Sequence, residues 1–569
     1  MKKIIFAVFI SLTIIIGAGP AVQAGIIGPQ LNAVLQSLEP DAEVAVIISL
    51  ADKVDPGQYK ELNKGLRRAA LVQALKGKAN ATQGPLNALL KGKGAGRIKQ
   101  LWIINGLAAT VKAGDIAELA GRTEVEKISL DGKIKAPQPA AAAAGTPEWN
   151  INAIGAPELW NAGFTGAGVV VASMDTGVDY NHTDLSTNWR GGGNSWYDPH
   201  GEHSTPYDKT GHGTQVMGVI VGGDATGTAI GVAPDARWIA VKMYNDAGTA
   251  SYSVIHQGFQ WLLDPDGNPG SDDAPDVVNN SWGYNGMLVN QCFTEFQPDI
   301  QTLKAADIAV VFSSGNSGPN SSTSESPANY PESFAAGAVD ETLAIAYFSG
   351  RGSSACDDTI YPEVTAPGVY VKTADLSFGG VFPNAFVYVS GTSIAAPHVS
   401  GAMALLAGAY PNATVSELEA ALKNAAVDLG TAGPENTYGY GLIDVVAAES
   451  WLADPPGPVC TDEIKHDGID QDCNGYDLTI DIIKADYTVD SGSLAVEATS
   501  DLGIDANLEL DGYGAMKWNR KRAKWSITVA PAGGDPGTVI VSGIEGSWSG
   551  DTTLISGGGG GKGGGKGKK

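Results

Sequence analysis

Residues 169–185 read VVVASMDTGVDYNHTDL, an apolar run that stops at an aspartate and a glycine-containing turn. The run does not alternate apolar with polar side chains, as a strand with one wet face would, so both faces of this strand are expected to be covered. The same form recurs at 275–283 (PDVVNNSWG) and 308–315 (IAVVFSSG), each closing on Asn, Ser or Gly, with helical stretches between. Such strands alternating with helices predict an α/β domain from Trp149 to about Ala453, built on a mostly parallel sheet with helices on both faces. In sheets of this kind, reactive groups collect just past the carboxyl ends of the strands, where Asp175 and the polar tripeptides fall.

Two further segments place a reactive residue at the start of a helix. In 211–222 (GHGTQVMGVIVG) His212 opens a helical run with a glycine on each side. In 389–408 (VSGTSIAAPHVSGAMALLAG) Ser393 stands at the head of a long apolar helix, near unsatisfied N–H groups and the positive end of the helix dipole. A serine hydroxyl is a poor nucleophile unless a base sits beside it and a carboxylate fixes that base. Asp175, His212 and Ser393 supply all three. A lone Asp-Thr-Gly or Gly-Thr-Ser is weak, whereas their conjunction is specific.

From Trp149 to about Ala448 the chain resembles a subtilisin-family catalytic domain, with DTGVDYNHTDL, GHGTQVMGVI and GTSIAAPHVSG as the three signature blocks in the family's Asp, His, Ser order. SSGNSGPN, SPANYPESFAAGAVD, FSGRGSSAC and PEVTAPGVY resemble the bacillopeptidase F-like branch. The resemblance implies a serine endopeptidase with Ser393 as nucleophile, His212 as base and then acid, and Asp175 as its support. Asn316 matches the oxyanion-hole asparagine. Asn280, Ser281, Trp282 and Gly283 match the edge that pairs with extended substrate, and Ser313, Ser314 and Gly315 match the facing wall of the S1 pocket. Glu325 falls near the family's S1 floor and is read here as a solvated surface glutamate. His182 and His398 are read as structural, and His200, His203, His256 and His466 carry no motif. Asp184 resembles a calcium ligand of the family; no cofactor is expected for catalysis.

Upstream of this domain, residues 1–24 form an expected signal peptide, with Lys2 and Lys3, an apolar run from Ile4 to Ile16, and small residues Val22 and Ala24. The chain is then expected to be secreted, extracellular or at the periplasm or cell surface, with no transmembrane anchor once the leader is removed. Residues 25–145 read as strand, helix, strand, strand, helix, strand, a ferredoxin-like α+β plan. By position and pattern this part resembles the family's propeptide, a folding aid and intramolecular inhibitor. It ends in APQPAAAAAGTP, an exposed linker in which the chain is expected to cut itself between about Ala140 and Glu148.

The peptidase domain is assigned to 146–453. Residues 454–481 form an acidic connector in which Asp470, Asp472, Asn474 and Asp481 occupy positions of a calcium loop. Residues 482–556 alternate as a small all-β module, and 557–569 are a flexible Gly/Lys tail. Within the module, the charges of KWNRKRAKW at 517–525 are expected to face solvent. Cys292, Cys356, Cys460 and Cys473 allow three pairings, of which locality favours 292 with 356 and 460 with 473.

The formal charge of −25 over 569 residues argues against nucleic acid and leaves protein or peptide substrates as partners. Zinc proteolysis lacks its HExxH, and an α/β-hydrolase would need a G-x-S-x-G elbow and the order Ser, Asp, His. A catalytically silent binding protein is disfavoured because Asp175, His212, Asn316 and Ser393 are all present.

Overall fold

The computed structural model describes residues 25–137, 148–225, 227–284, 288–378, 385–454, 479–543 and 546–555. The leader, the linker 138–147, connector residues 455–478 and the tail lie outside the described residues, and with them Asp470, Asp472, Asn474, Cys460 and Cys473. The chain divides into two compact units, Met1–Asp454 and Pro455–Lys569.

In the first unit seven strands form one sheet in the order 364–367, 334–339, 309–313, 277–280, 170–175, 237–242, 196–197. Every neighbouring pair is parallel. The missing alternation now has its cause, because successive side chains enter two different cores. Val171, Val277, Ala309 and Val311 pack with helices His212–Val221 and Thr392–Ala409. Ala172, Met174, Val278, Val310 and Phe312 pack with Tyr252–Leu263 and Gln297–Ala305 on the other face. Full burial of each Val or Phe contributes about 1.5–3 kcal/mol, so a polar residue on either side of a strand would be costly. Cys292 and Cys356 form a disulfide, the pairing that locality favours.

The N-terminal part holds strands Glu43–Leu50, Gly96–Leu101, Gly106–Lys112 and Val125–Leu130, with helices Lys64–Gly92 and Ile116–Ala120. The strands lie in the order 125–130, 43–50, 106–112, 96–101, and all three pairings are antiparallel. That is the ferredoxin-like order, to which Ile26–Ile27 adds in parallel beyond 125–130. Val46, Ile48, Leu107 and Ile128 join Leu86 and Leu90 in a core of their own. Ile47, Leu101, Ile103 and Ile104 instead enter the core that contains Phe259 and Phe296, so this sheet lies over the helices of the larger one.

Polar contacts fix that docking. Arg68, 5 % exposed, donates to the carbonyl oxygens of Ala306 (3.0 Å), Pro275 (3.0 Å) and Asp307 (3.2 Å) and to Asp272 Oδ1 (3.0 Å). Lys76 pairs with the buried Asp264. Beyond Lys135 the chain runs on to Pro137. Strand Lys133–Lys135 pairs antiparallel with Thr249–Ser251, and Ala136 N–H donates to Gly248 O (2.9 Å).

Within the second unit, strands 481–488, 493–499, 517–519, 524–529 and 553–555 make one sheet and 509–510, 514–515, 538–543 and 546–551 another. Leu494, Val496, Trp525, Val539 and Val541 share one core. Trp518 faces Trp525 across an antiparallel pair with ring centroids 5.5 Å apart, while Arg520, Lys521 and Arg522 are exposed at the turn. Asp481 begins the first strand of this unit.

Arg68→Ala would strip a donor from several buried carbonyls at once, and docking of 64–92 should weaken by about 2–4 kcal/mol. Hydrogen exchange should then quicken in 64–92 and 272–276 and stay at the wild-type rate in 479–543. Unchanged protection of 64–92 would contradict the assigned role of Arg68.

Candidate active site

Asp175 is the last residue of the central 170–175 strand, and its side chain is 1 % exposed. Its Oδ1 accepts hydrogen bonds from Thr176 N–H (2.7 Å) and from His212 Nδ1 (2.8 Å). His212 is the first residue of its helix, preceded by Gly211 in the left-handed region at φ +95°. The helix start can come this close to the strand because position 213 is glycine: a Cβ there would stand 2.1 Å from Gly177 O.

A residue that the sequence analysis did not single out anchors this turn. The buried carboxylate of Asp208 accepts from the N–H groups of Thr210, Gly211 and Thr214, each at 3.0 Å, and from Thr214 Oγ1 at 2.8 Å. It satisfies orphan donors at the helix N-terminus and holds the backbone that carries His212. The only sequence signal was an Asp four residues before the histidine.

Ser393 is the second residue of the eighteen-residue helix Thr392–Ala409 and is half-buried. Its backbone carbonyl accepts from Ser281 Oγ (2.8 Å). Asn316 Oδ1 accepts from both Thr392 N–H and Thr392 Oγ1, each at 3.0 Å, which fixes the amide and commits Nδ2 to the other side. A Cβ added at Gly391 would lie 2.9 Å from Ser393 Oγ and 3.9 Å from Asn316 Nδ2, so hydroxyl and amide flank one point in space. His212 Nε2 is buried with no hydrogen-bond partner in this structure.

Ser393 and Asn316 open onto a cavity of about 290 Å³. Ser281, Trp282 and Gly283 line one side, Ser313 and Gly315 another, and Pro137 of the N-terminal part also borders it. Asn280 and Ser314 lie fully buried behind this lining rather than in it. Glu325 is not the solvated surface residue expected from the sequence: it is 4 % exposed and lines the same cavity. The edge 249–251, already occupied by strand 133–135, was also missed; only Gly248 before Thr-Ala-Ser hinted at it.

Three histidines differ sharply in charge state. Burial opposes protonation of His212, but the hydrogen-bonded Asp175 and the nearby charge of Asp208 outweigh it and hold the pKa above the ordinary imidazole value. Burial also opposes the charge on His256, yet Asp299 (2.8 Å) and Glu295 (3.6 Å) on either side push it up to about 10. His398 has only burial and the Ile394 carbonyl around it, and it falls to about 4, a neutral packed residue as expected. His182 is also wholly buried; its Nε2 contacts Ala385 O (2.6 Å) and its Nδ1 accepts from Asp184 N–H (3.1 Å). Asp184 itself is 3 % exposed, with Oδ1 accepting from Ala225 N–H (2.9 Å) and Oδ2 buried without a hydrogen-bond partner.

Comparison with known proteins agrees with this geometry. A model of the subtilase family matches residues 166–441. The chain is 35 % identical over 474 residues to bacillopeptidase F of Bacillus subtilis (strain 168), covering 76 % of this chain and 32 % of that protein. It is 35 % identical over 307 residues to subtilisin DY of Bacillus licheniformis, with 54 % of this chain and 99 % of the relative covered. To subtilisin E of Bacillus subtilis (strain 168) it is 33 % identical over 359 residues, 63 % of this chain and 84 % of the relative. The chain belongs to the subtilase family of serine endopeptidases, on its bacillopeptidase F-like side. It spans about a third of the length of bacillopeptidase F.

The charge states can be read directly by NMR titration. His212 should titrate above the usual value of about 6.5, and Asp208→Asn, which removes one facing negative charge, should lower its midpoint. His398 should stay neutral through that range. A wild-type His212 midpoint below about 6 would contradict the electrostatic arrangement described here.

Proposed function

We propose that the chain is a secreted serine endopeptidase, made as a self-processing precursor, that cleaves peptide bonds through an acyl-enzyme on Ser393. The observation that carries the reading is the buried Asp175–His212 pair at 2.8 Å, lying at the carboxyl edge of the sheet where Ser393 and Asn316 open onto one cavity. In this reading Ser393 Oγ attacks the scissile carbonyl and His212 Nε2 takes its proton, later returning it to the leaving amine. Asp175 keeps the proton of His212 on Nδ1 and stabilises the imidazolium. Asn316 Nδ2 and the Ser393 N–H, at the head of its helix, would hold the oxyanion, and such a donor supplies roughly 3–4 kcal/mol in the transition state, a figure that itself comes from a subtilisin.

Residues 25–137 would serve as the temporary inhibitor. The support is that strand 133–135 already adds to the 249–251 edge and Pro137 borders the cavity, the manner in which an extended substrate would bind. The disulfide between Cys292 and Cys356 fits an oxidising compartment. Among the described residues no helix is long and apolar enough to cross a membrane. Calcium would have a structural part only. The buried, unpartnered Oδ2 of Asp184 fits one anionic ligand for a hard cation, and the connector Asp470, Asp472, Asn474 and Asp481 would offer a second site.

Self-processing makes cleavage depend on Ser393 of the same molecule. Wild type should yield two pieces, with a new N-terminus between Gln138 and Glu148 by mass spectrometry, whereas Ser393→Ala should accumulate uncut. If the pure alanine variant, free of other proteases, were cut at the normal rate and site, both self-processing and the nucleophile would have to be reassigned.

A further inference from the structure

We propose that the cavity beside Ser393 selects a lysine or arginine on the acyl side of the bond to be cut, and that Glu325 is the residue that selects it. This deepens the endopeptidase reading above and rests on it. Exposure orders the cavity from mouth to floor. Asn316 is exposed and Ser393 half-buried, while Glu325, Ser326 and Ala328 are 4 %, 0 % and 2 % exposed. The carboxylate therefore lies at the closed end of the space that begins at the nucleophile.

Two glycines leave it open to whatever enters. Gly315 has φ +89°, and a Cβ there would stand 3.0 Å from Glu325 Cδ and 3.1 Å from Oε1. On the other wall, a Cβ at Gly283 would come within 3.8 Å of Oε2. A side chain at either position would screen the carboxylate; with none, it faces the cavity. Ser317 Oγ donates to Oε1, and Asn329 N–H donates to the Glu325 backbone carbonyl (3.1 Å), so the glutamate is held in place. A carboxylate offers about four acceptor positions, so one hydroxyl donor does not saturate it.

The chemistry then discriminates among occupants. A phenylalanine or leucine would press apolar surface against a buried carboxylate and strip it of water without a counter-charge, which is unfavourable by several kcal/mol. A lysine or arginine brings the counter-charge and makes charge-assisted hydrogen bonds. Its methylene stem can lie along Trp282 and Ala328. A cavity of about 290 Å³ has room for either side chain.

The test uses the secreted wild-type enzyme, with active sites counted by a fluorophosphonate probe. Tripeptide p-nitroanilides identical except for Lys, Arg, Gln or Phe before the cleaved bond are compared by kcat/KM. Lys and Arg should exceed Phe by at least about ten-fold, and in Glu325→Gln that ratio should fall by at least about ten-fold. Benzamidine should compete with substrate in the wild type and bind at least about ten-fold more weakly to the variant. If Glu325→Gln fails to fold, the wild-type profile and benzamidine competition decide. Protein that takes the probe yet prefers Phe, or a variant whose Lys-to-Phe ratio is unchanged, overturns the role of Glu325 and leaves the endopeptidase reading standing. Protein that neither takes the probe nor cuts any substrate overturns both.

Discussion

A carboxylate taken out of water costs several kcal/mol unless its surroundings answer it, and the architecture around Asp175 follows from that constraint. The strand that ends there must be apolar to lie at the centre of the sheet, yet its last residue must be acidic. The conflict is resolved locally by Thr176 N–H and by His212, both on Oδ1. His212 can reach it only because glycines at 177 and 213 let strand and helix backbones approach within the space of a missing Cβ. Asp208, itself buried, then converts the loose donors of that helix start into a fixed support. Substituting any of these residues disturbs the others, although only two of them are ionised side chains in contact.

The same electrostatic logic recurs where the N-terminal part docks. His256 lies between Asp299 and Glu295, and Glu295 in turn accepts from Ser129 Oγ (2.8 Å) and pairs with Lys127 (3.4 Å). A histidine held charged in a dry interior is thus part of a chain of partners that ends on the N-terminal sheet. Arg68 makes the complementary contact, bringing one guanidinium to several backbone carbonyls left over at the ends of helix 297–305 and the loops beside it.

Much of the fold was legible because it is written in side-chain type at fixed spacing. The apolar runs 169–175 and 308–312, the order of N-terminal elements and the three segments carrying Asp175, His212 and Ser393 all depend on local pattern. What escaped depends on distance through space. Asp208 works through backbone N–H groups, which leave no mark on composition. Glu325 sits in a loop whose path decides whether it meets water or the cavity, and a Ser-Thr-Ser-Glu-Ser run reads as surface either way. His256 carried no motif because its partners are 39 and 43 residues further on, Glu295 and Asp299. The 249–251 edge is defined by its occupant, strand 133–135, more than a hundred residues earlier.

The shared core of Ile47, Leu101, Ile103 and Ile104 with Phe259 and Phe296 bears on the order of events during synthesis. A wholly parallel sheet closes only after long crossovers have been formed, so its chain must give up loop entropy before contacts repay it. The antiparallel sheet of residues 43–130 needs far shorter loops and leaves the ribosome first. Its apolar face would then stand ready as a template on which helices 252–263 and 297–305 settle, turning part of a slow search into a docking step. Deprived of that template, the peptidase half would face its topology alone, and its difficulty would be one of rate rather than of final stability.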